Sequence, residues 1–154
     1  MENRYEEIVR EVLDEIDSAL KDAKGLKAHQ RRIAFSLSLG CVNLIEKYLV
    51  KKNVLKSGAK INHLWFKKKL DNVKKLISNQ IVCPIENIPN LDNLLKIVCE
   101  IEKERNELAY GKIVSEDFLR KQINLFFDLK KEIEKWLRLM QVILSLIWLI
   151  ILKK

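Results

Sequence analysis

Apolar residues recur every three or four positions along most of this chain, a spacing typical of helices that bury one side. Between Ile33 and Ile45 small residues fill almost every gap between the apolar ones, so this stretch has hardly any polar face. Tight turns are scarce, because the 154 residues include only 4 Gly and 2 Pro. We therefore expect an all-α fold, an up-and-down bundle of about five helices that forms a single domain over 1–154.

Local signals set the limits of the predicted helices. Gly25 ends the first helix, both prolines fall in the non-helical stretch QIVCPIENIPN, and Ser115 is a good N-cap for the last helix. The predicted helices cover 2–23, 27–52, 62–78, 90–111 and a final segment that begins at Ser115 and runs towards the end of the printed sequence. The second of these is expected to be central, because its apolar residues face almost every direction.

The end of the last helix, residues 139–152, is apolar at twelve of its fourteen positions. A helix of that length reaches about 21 Å, which is shorter than the roughly 30 Å hydrocarbon core of a bilayer. We expect this segment to be buried or to face a second subunit, so that homodimerisation hides it, and a membrane anchor is the alternative.

The net charge of +8 is unevenly distributed. Residues 25–80 contain thirteen basic and only two acidic side chains, and so lopsided a potential favours polyanions such as nucleic acid. An alternative interpretation of the lysines in and before the third helix is a solvated face. The candidate nucleic-acid-binding residues are Lys60, Lys67, Lys68, Lys74 and Lys75.

The cysteines and histidines give little reason to expect a metal. Cys41, Cys83 and Cys99 form no CxxC pair, and the two histidines lie far from them in sequence, whereas a structural zinc site needs four closely spaced ligands. We expect no metal and no cofactor. An odd cysteine count and an acidic amphipathic start, in place of a secretory leader, predict a cytoplasmic protein.

Two charges interrupt apolar lines of the predicted helices. Arg105 comes next after Ile101 on the apolar line of the fourth helix. Glu46 comes next after Val42 on the apolar line of the second. A buried charge needs a partner, and the guanidinium fork suits a carboxylate. We therefore expect Glu46 to meet Arg105 inside the bundle or between two subunits, either as part of a functional site or only to fix helix register.

The segment Arg105–Gly111, RNELAYG, resembles the signature of HEPN (higher eukaryotes and prokaryotes nucleotide-binding) domains. In that family an arginine and a polar residue, usually asparagine, precede a histidine by four to six positions. The helix order, the polar residue in the central helix and the segment SGAKINH are also similar, and the resemblance covers about 5–137.

The resemblance implies a dimer whose cleft binds RNA or nucleotide and cleaves RNA without metal, often as a toxin paired with a small nucleotidyltransferase. It assigns phosphate binding to Arg105 and positioning of the phosphate to Asn106. Tyr110 holds the place of the family's histidine. An ordinary phenol has a pKa of about 10, which is too high for proton transfer at neutral pH. An alternative is that His29 or His63 substitutes for the family's histidine, but no spacing places either at the site, and both are interpreted as helix-end or surface residues.

The sequence thus predicts an RNA- or nucleotide-binding protein with weak or lost metal-independent ribonuclease activity. Its candidate catalytic residues are Arg105, Asn106 and Tyr110, with Glu46 in support. The alternative is a non-catalytic helical interaction module or a membrane-associated adaptor.

Overall fold

The computed structural model describes residues 3–154, and five α-helices make up most of them. The helices are α1 (Arg4–Lys21), α2 (Gln30–Lys51), α3 (Leu70–Ser78), α4 (Leu91–Tyr110) and α5 (Glu116–Leu152). Short 3-10 turns occupy Leu26–His29, His63–Lys67 and Ile85–Asn87. The prediction of an all-helical bundle is confirmed, and the predicted helix start at Glu2 lies outside the described residues.

Helix α2 is the central element, as its pattern predicted. It packs against α1, α4 and α5, and it buries residues on all sides, among them Ile33, Leu37, Leu44 and Tyr48. Burial raises the pKa of the Tyr48 phenol to about 12, and its hydroxyl donates a hydrogen bond to the carbonyl of Pro89 at 2.7 Å. The centre of the bundle is therefore apolar and closely packed.

Gly40 lets α5 approach α2 closely. A Cβ atom at this position would lie 2.7 Å from Cε2 of the buried Phe126 ring and 3.2 Å from Cγ1 of Val12. Both neighbours are fixed in the core, so a larger residue would push the helices apart. The small residues of α2 thus serve helix packing.

The predicted helix over 62–78 is wrong in its first half. The Asn62 side chain accepts a hydrogen bond from the Leu64 amide at 2.9 Å and starts a 3-10 turn that ends at Lys67. Lys69 is extended, with φ −61° and ψ 148°, before α3 begins. The extended backbone at Lys68 and Lys69 thus separates two helical pieces that share one apolar line.

Gln30 fixes the connection between α4 and α5. Its buried amide nitrogen donates to the carbonyls of Leu108 and Lys112, both at 3.0 Å, and its amide oxygen accepts from the Val114 amide at 2.9 Å. The first of these carbonyls is one that the end of α4 leaves free, and the other two backbone groups belong to the link that follows. The end of α4, where the HEPN-like segment lies, is thereby held against the start of α2.

His29 lies where the first 3-10 turn meets α2, so its interpretation as a helix-end residue is correct, although it is buried. Its Nε2 is 2.7 Å from Oδ2 of Asp22, and its Nδ1 is 3.2 Å from Oε1 of Glu15. The hydrogen bonds to Asp22 and then to Glu15 raise the pKa of His29. This histidine therefore serves to join α1 to the start of α2.

The end of α5 leaves the bundle. Residues 141–154 are all exposed, so the expectation that 139–152 is buried is wrong within this chain, while a subunit-facing role stays a prediction. Within the described residues, two helical segments, Leu26–Lys51 and Glu116–Leu152, are long and apolar enough to cross a membrane. The most apolar window of the first is 67% buried in the bundle, whereas that of the second is 0% buried.

Candidate functional site

An open cleft of about 540 Å³ lies between α2, α4, the start of α1 and the segment that leads into the second 3-10 turn. One part of its wall is apolar and comes mostly from α2, with Phe35 and Leu39 well exposed. The polar residues that line it are Arg4, Ser38, Asn43, Glu46, Lys60, Asn62, His63 and Arg105. Among residues 3–154, three cationic side chains and one imidazole thus face a cleft whose lining contains one carboxylate.

Arg105 is half-buried against the apolar wall of the cleft. Its guanidinium carbon lies 5.1 Å from the centre of the Phe35 ring, and its Nη1 donates to Oδ1 of Asn106 at 3.1 Å. Its Nε is buried and has no hydrogen-bond partner among residues 3–154. A buried donor without a partner is costly, so this N–H is suited to a ligand that brings an acceptor.

Tyr110 shares the Phe35 ring with Arg105. The two aromatic rings meet edge to face with centroids 6.1 Å apart, while α4 stays helical up to Tyr110. No unwinding of α4 is needed to bring Arg105 and Tyr110 to one place, because Phe35 of α2 lies between them. Tyr110 is 72% exposed, and neither it nor the exposed Asn106 lines the cleft.

The predicted pair of Glu46 and Arg105 does not form within this chain, while a pair between two subunits stays a prediction. Glu46 accepts hydrogen bonds from Nη2 of Arg4 at 3.0 Å, from the hydroxyl of Tyr5 at 2.8 Å and from the amide of Ile61 at 3.2 Å. These donors come from outside α4 and fasten the start of α1 and the segment before the second 3-10 turn to α2. The carboxylate is buried as predicted, but its acceptor positions are used by other groups.

The structure brings His63 into the same cleft as Arg105, which its sequence position did not predict. Its Nδ1 lies 3.6 Å from Oε2 of Glu102, a fully buried carboxylate whose other oxygen accepts a hydrogen bond from the hydroxyl of Ser38. The His63 side chain is 38% exposed. Among the described residues neither His63 Nδ1 nor Glu102 Oε2 has a hydrogen-bond partner.

The Glu102 carboxylate lies behind the imidazole without a hydrogen bond to it. Imidazoles often act as proton acceptors or donors in catalysis, so its place at the cleft makes His63 a candidate for that role. Glu102 also affects two thiols, since burial and then its charge raise the pKa of Cys41 and of Cys99. Both thiols are held in the protonated form, which makes them poor nucleophiles.

Glu102 was missed by the sequence analysis, although the same kind of signal was present. It falls on the line Leu95, Val98, Glu102 and Ala109, whose other members are buried apolar residues of α4. A carboxylate on such a line needs a partner, as Glu46 does. The distance of His63 from it in sequence concealed which partner that is.

The five candidate lysines do not form one track. Lys60 lines the cleft, Lys67 and Lys68 lie exposed at the end of the 3-10 turn, and Lys74 pairs with Asp92 at 3.1 Å. Lys75 is exposed on α3. Of this set, only Lys60 is placed to reach a ligand that contacts Arg105 in the cleft.

Metal binding finds no support in the part of the chain that the structure describes. Over residues 3–154, no three side chains of His, Cys, Asp or Glu come together in a way that could hold a metal ion. Comparisons of the chain with protein-family models, with curated proteins and with solved structures found no match.

Proposed function

We propose that the cleft binds RNA or nucleotide through a phosphate group, with Arg105 as the principal contact. The observation that carries this proposal is the half-buried guanidinium whose Nε has no hydrogen-bond partner among residues 3–154. Phosphate oxygens are suitable acceptors for such a fork, and Lys60 and Arg4 add positive charge along the same wall. The likeness of RNELAYG to the HEPN signature points to the same ligand class.

His63 is the group that we propose for proton transfer, in place of Tyr110. In metal-independent RNA cleavage the 2′-oxygen attacks the adjacent phosphorus and the bond to the 5′-oxygen breaks, which leaves a cyclic phosphate. His63 would take the proton of the 2′-hydroxyl, and water in the open cleft would protonate the departing oxygen. A single imidazole in an open site accounts for a slow enzyme, in keeping with the predicted weak ribonuclease activity.

Removal of the Arg105 side chain is expected to weaken RNA binding. Arg105→Ala should lower the affinity for a fluorescent single-stranded RNA by roughly 10- to 100-fold and reduce the salt dependence of binding by about one phosphate contact. Fluorescence anisotropy over a series of salt concentrations measures both quantities. The matched control is Arg120→Ala, because Arg120 is exposed on α5 and is paired with Glu116 outside the cleft.

The two variants separate a specific contact from the general effect of positive charge. If both weaken binding equally, or if neither does, Arg105 is not the principal contact. An RNA that does not bind even at low salt would favour the alternative, a non-catalytic interaction module.

A small nucleotidyltransferase as partner is a further part of the proposal. It is tested by co-expression with the neighbouring reading frame and co-purification.

The exposed apolar wall of the cleft is where we place a second copy of the chain. Leu39 is 50% exposed on the central helix, and the neighbouring Phe35 is 41% exposed. Burial of such a wall would stabilise a dimer and place two clefts side by side. Leu39→Lys should convert a dimer into monomers in sedimentation equilibrium, whereas Leu20→Lys, at an exposed position late in α1, should not. A wild-type monomer would refute this arrangement.

A further inference from the structure

The last part of α5 forms an apolar rod that projects beyond the bundle. The helix is buried at intervals up to Ile133 and is half-buried at Trp136 and Leu137. Beyond that point only Met140 is partly covered, and residues 141–152 are all exposed. A continuous helix of this kind presents far more apolar surface to water than a soluble domain usually does.

The rod is apolar in every direction. The seven consecutive residues 146–152 are all large and apolar, and at 100° per residue they cover the whole circumference of the helix. Only Gln141 and Ser145 interrupt the segment 139–152. One partner helix would cover a single stripe, whereas hydrocarbon covers all sides at once. This pattern therefore favours lipid over a second copy of the chain.

Positive charges stand at both ends of the rod. Lys135 and Arg138 precede it, Lys153 and Lys154 follow it, and no acidic residue occurs after Glu134. Basic side chains of this kind extend towards lipid headgroups while their stems stay in the apolar layer. The arrangement is complementary to two layers of anionic or zwitterionic headgroups with hydrocarbon between them.

The rod is shorter than the roughly 17 residues of the shortest helices that span a bilayer. Its fourteen residues reach about 21 Å, and snorkelling lysines with local thinning of the bilayer can make up part of the difference from roughly 30 Å. The other segment that passes the same apolarity test, Leu26–Lys51, is mostly buried in the bundle and acts as its core. Only the second segment has its apolar window free.

We propose that residues 139–152 insert into a lipid bilayer and hold the helical bundle, with its cleft, at the membrane surface. The lipid takes the place of the subunit that the sequence pattern alone suggested. This proposal does not depend on the ligand of the cleft, because the bundle buries its own core without the rod.

Flotation of the full chain with lipid vesicles tests the proposal. The vesicles contain phosphatidylcholine, with or without phosphatidylglycerol, and the protein is expected to rise with both and more completely with the anionic mixture. Ile147→Lys should lower the partition into vesicles on the order of 100-fold, because a lysine near the centre of an inserted helix is costly. Val82→Lys is the matched control, since Val82 is 65% exposed on the bundle and outside the rod.

The position of the rod in the lipid can be followed through Trp148. In the double variant Trp65→Phe and Trp136→Phe, brominated acyl chains should quench the remaining tryptophan fluorescence. Wild-type protein that stays at the bottom of the gradient overturns the proposal. Equal flotation of wild type and Ile147→Lys overturns it too, as does self-association in solution that Ile147→Lys abolishes while vesicles remain unbound.

Discussion

His63→Gln is expected to lower the rate of RNA cleavage by roughly 100-fold or more while RNA affinity changes little, because a positioned general base contributes about that factor. Glutamine keeps a hydrogen-bonding side chain at the start of the 3-10 turn but cannot take up a proton. The measurement is a gel of end-labelled RNA incubated with the protein and a chelator. Products that end in a cyclic phosphate identify the reaction.

The protein contains a matched control for this substitution. His29 is the only other histidine, and it lies between Glu15 and Asp22 without lining the cleft. His29→Gln should therefore keep the cleavage rate, once thermal unfolding has shown that the variant is folded at the assay temperature. Tyr110→Phe should also keep it, because the phenol is exposed and lies outside the cleft.

Glu102 provides a second test of the same site. Glu102→Gln keeps an oxygen that can accept from Ser38 but removes the charge 3.6 Å from Nδ1 of His63. Cleavage should fall by a smaller factor than in His63→Gln, because the ring is still present and only the carboxylate beside it has changed. Unchanged cleavage in His63→Gln would remove this histidine from the mechanism and leave phosphate binding by Arg105 as a separate question.

The fold was predictable from the sequence to the extent that local rules decide it. Helical periodicity, Gly25, the prolines and the Ser115 cap gave the bundle and the central position of α2. The break before α3 was missed, because the apolar line continues through the extended Lys68 and Lys69.

The site was predictable only residue by residue. The sequence indicated that Glu46 needs a partner. It did not show which one, because the other four predicted helices all carry cations. The donors that reach Glu46 are Arg4 and Tyr5 of α1 and the Ile61 amide. His63 and Glu102 are 39 positions apart, and no local spacing relates them. Such pairs depend on how the helices pack, which cannot be read from residue spacing in a single sequence.

Gln30→Leu is expected to lower the free energy of unfolding by about 2–4 kcal/mol, which is a large part of the roughly 5–15 kcal/mol that holds a typical domain together. Leucine fills a similar volume but cannot bond the carbonyls of Leu108 and Lys112 or the amide of Val114. One buried carbonyl of α4 and two partly buried backbone groups of the link to α5 would lose their partner. Urea unfolding followed by circular dichroism measures the change.

Gln122→Leu makes the same chemical change at a buried glutamine of α5. The Oε1 atom of Gln122 has no hydrogen-bond partner in the described part of the chain, so its replacement should be close to neutral or stabilising. If Gln122→Leu lowers the free energy of unfolding as much as Gln30→Leu does, the shape of the side chain, and not its hydrogen bonding, explains both results. If the two variants differ as predicted, the side-chain amide of Gln30 is what chiefly holds the end of α4, with Arg105 and Tyr110, against α2.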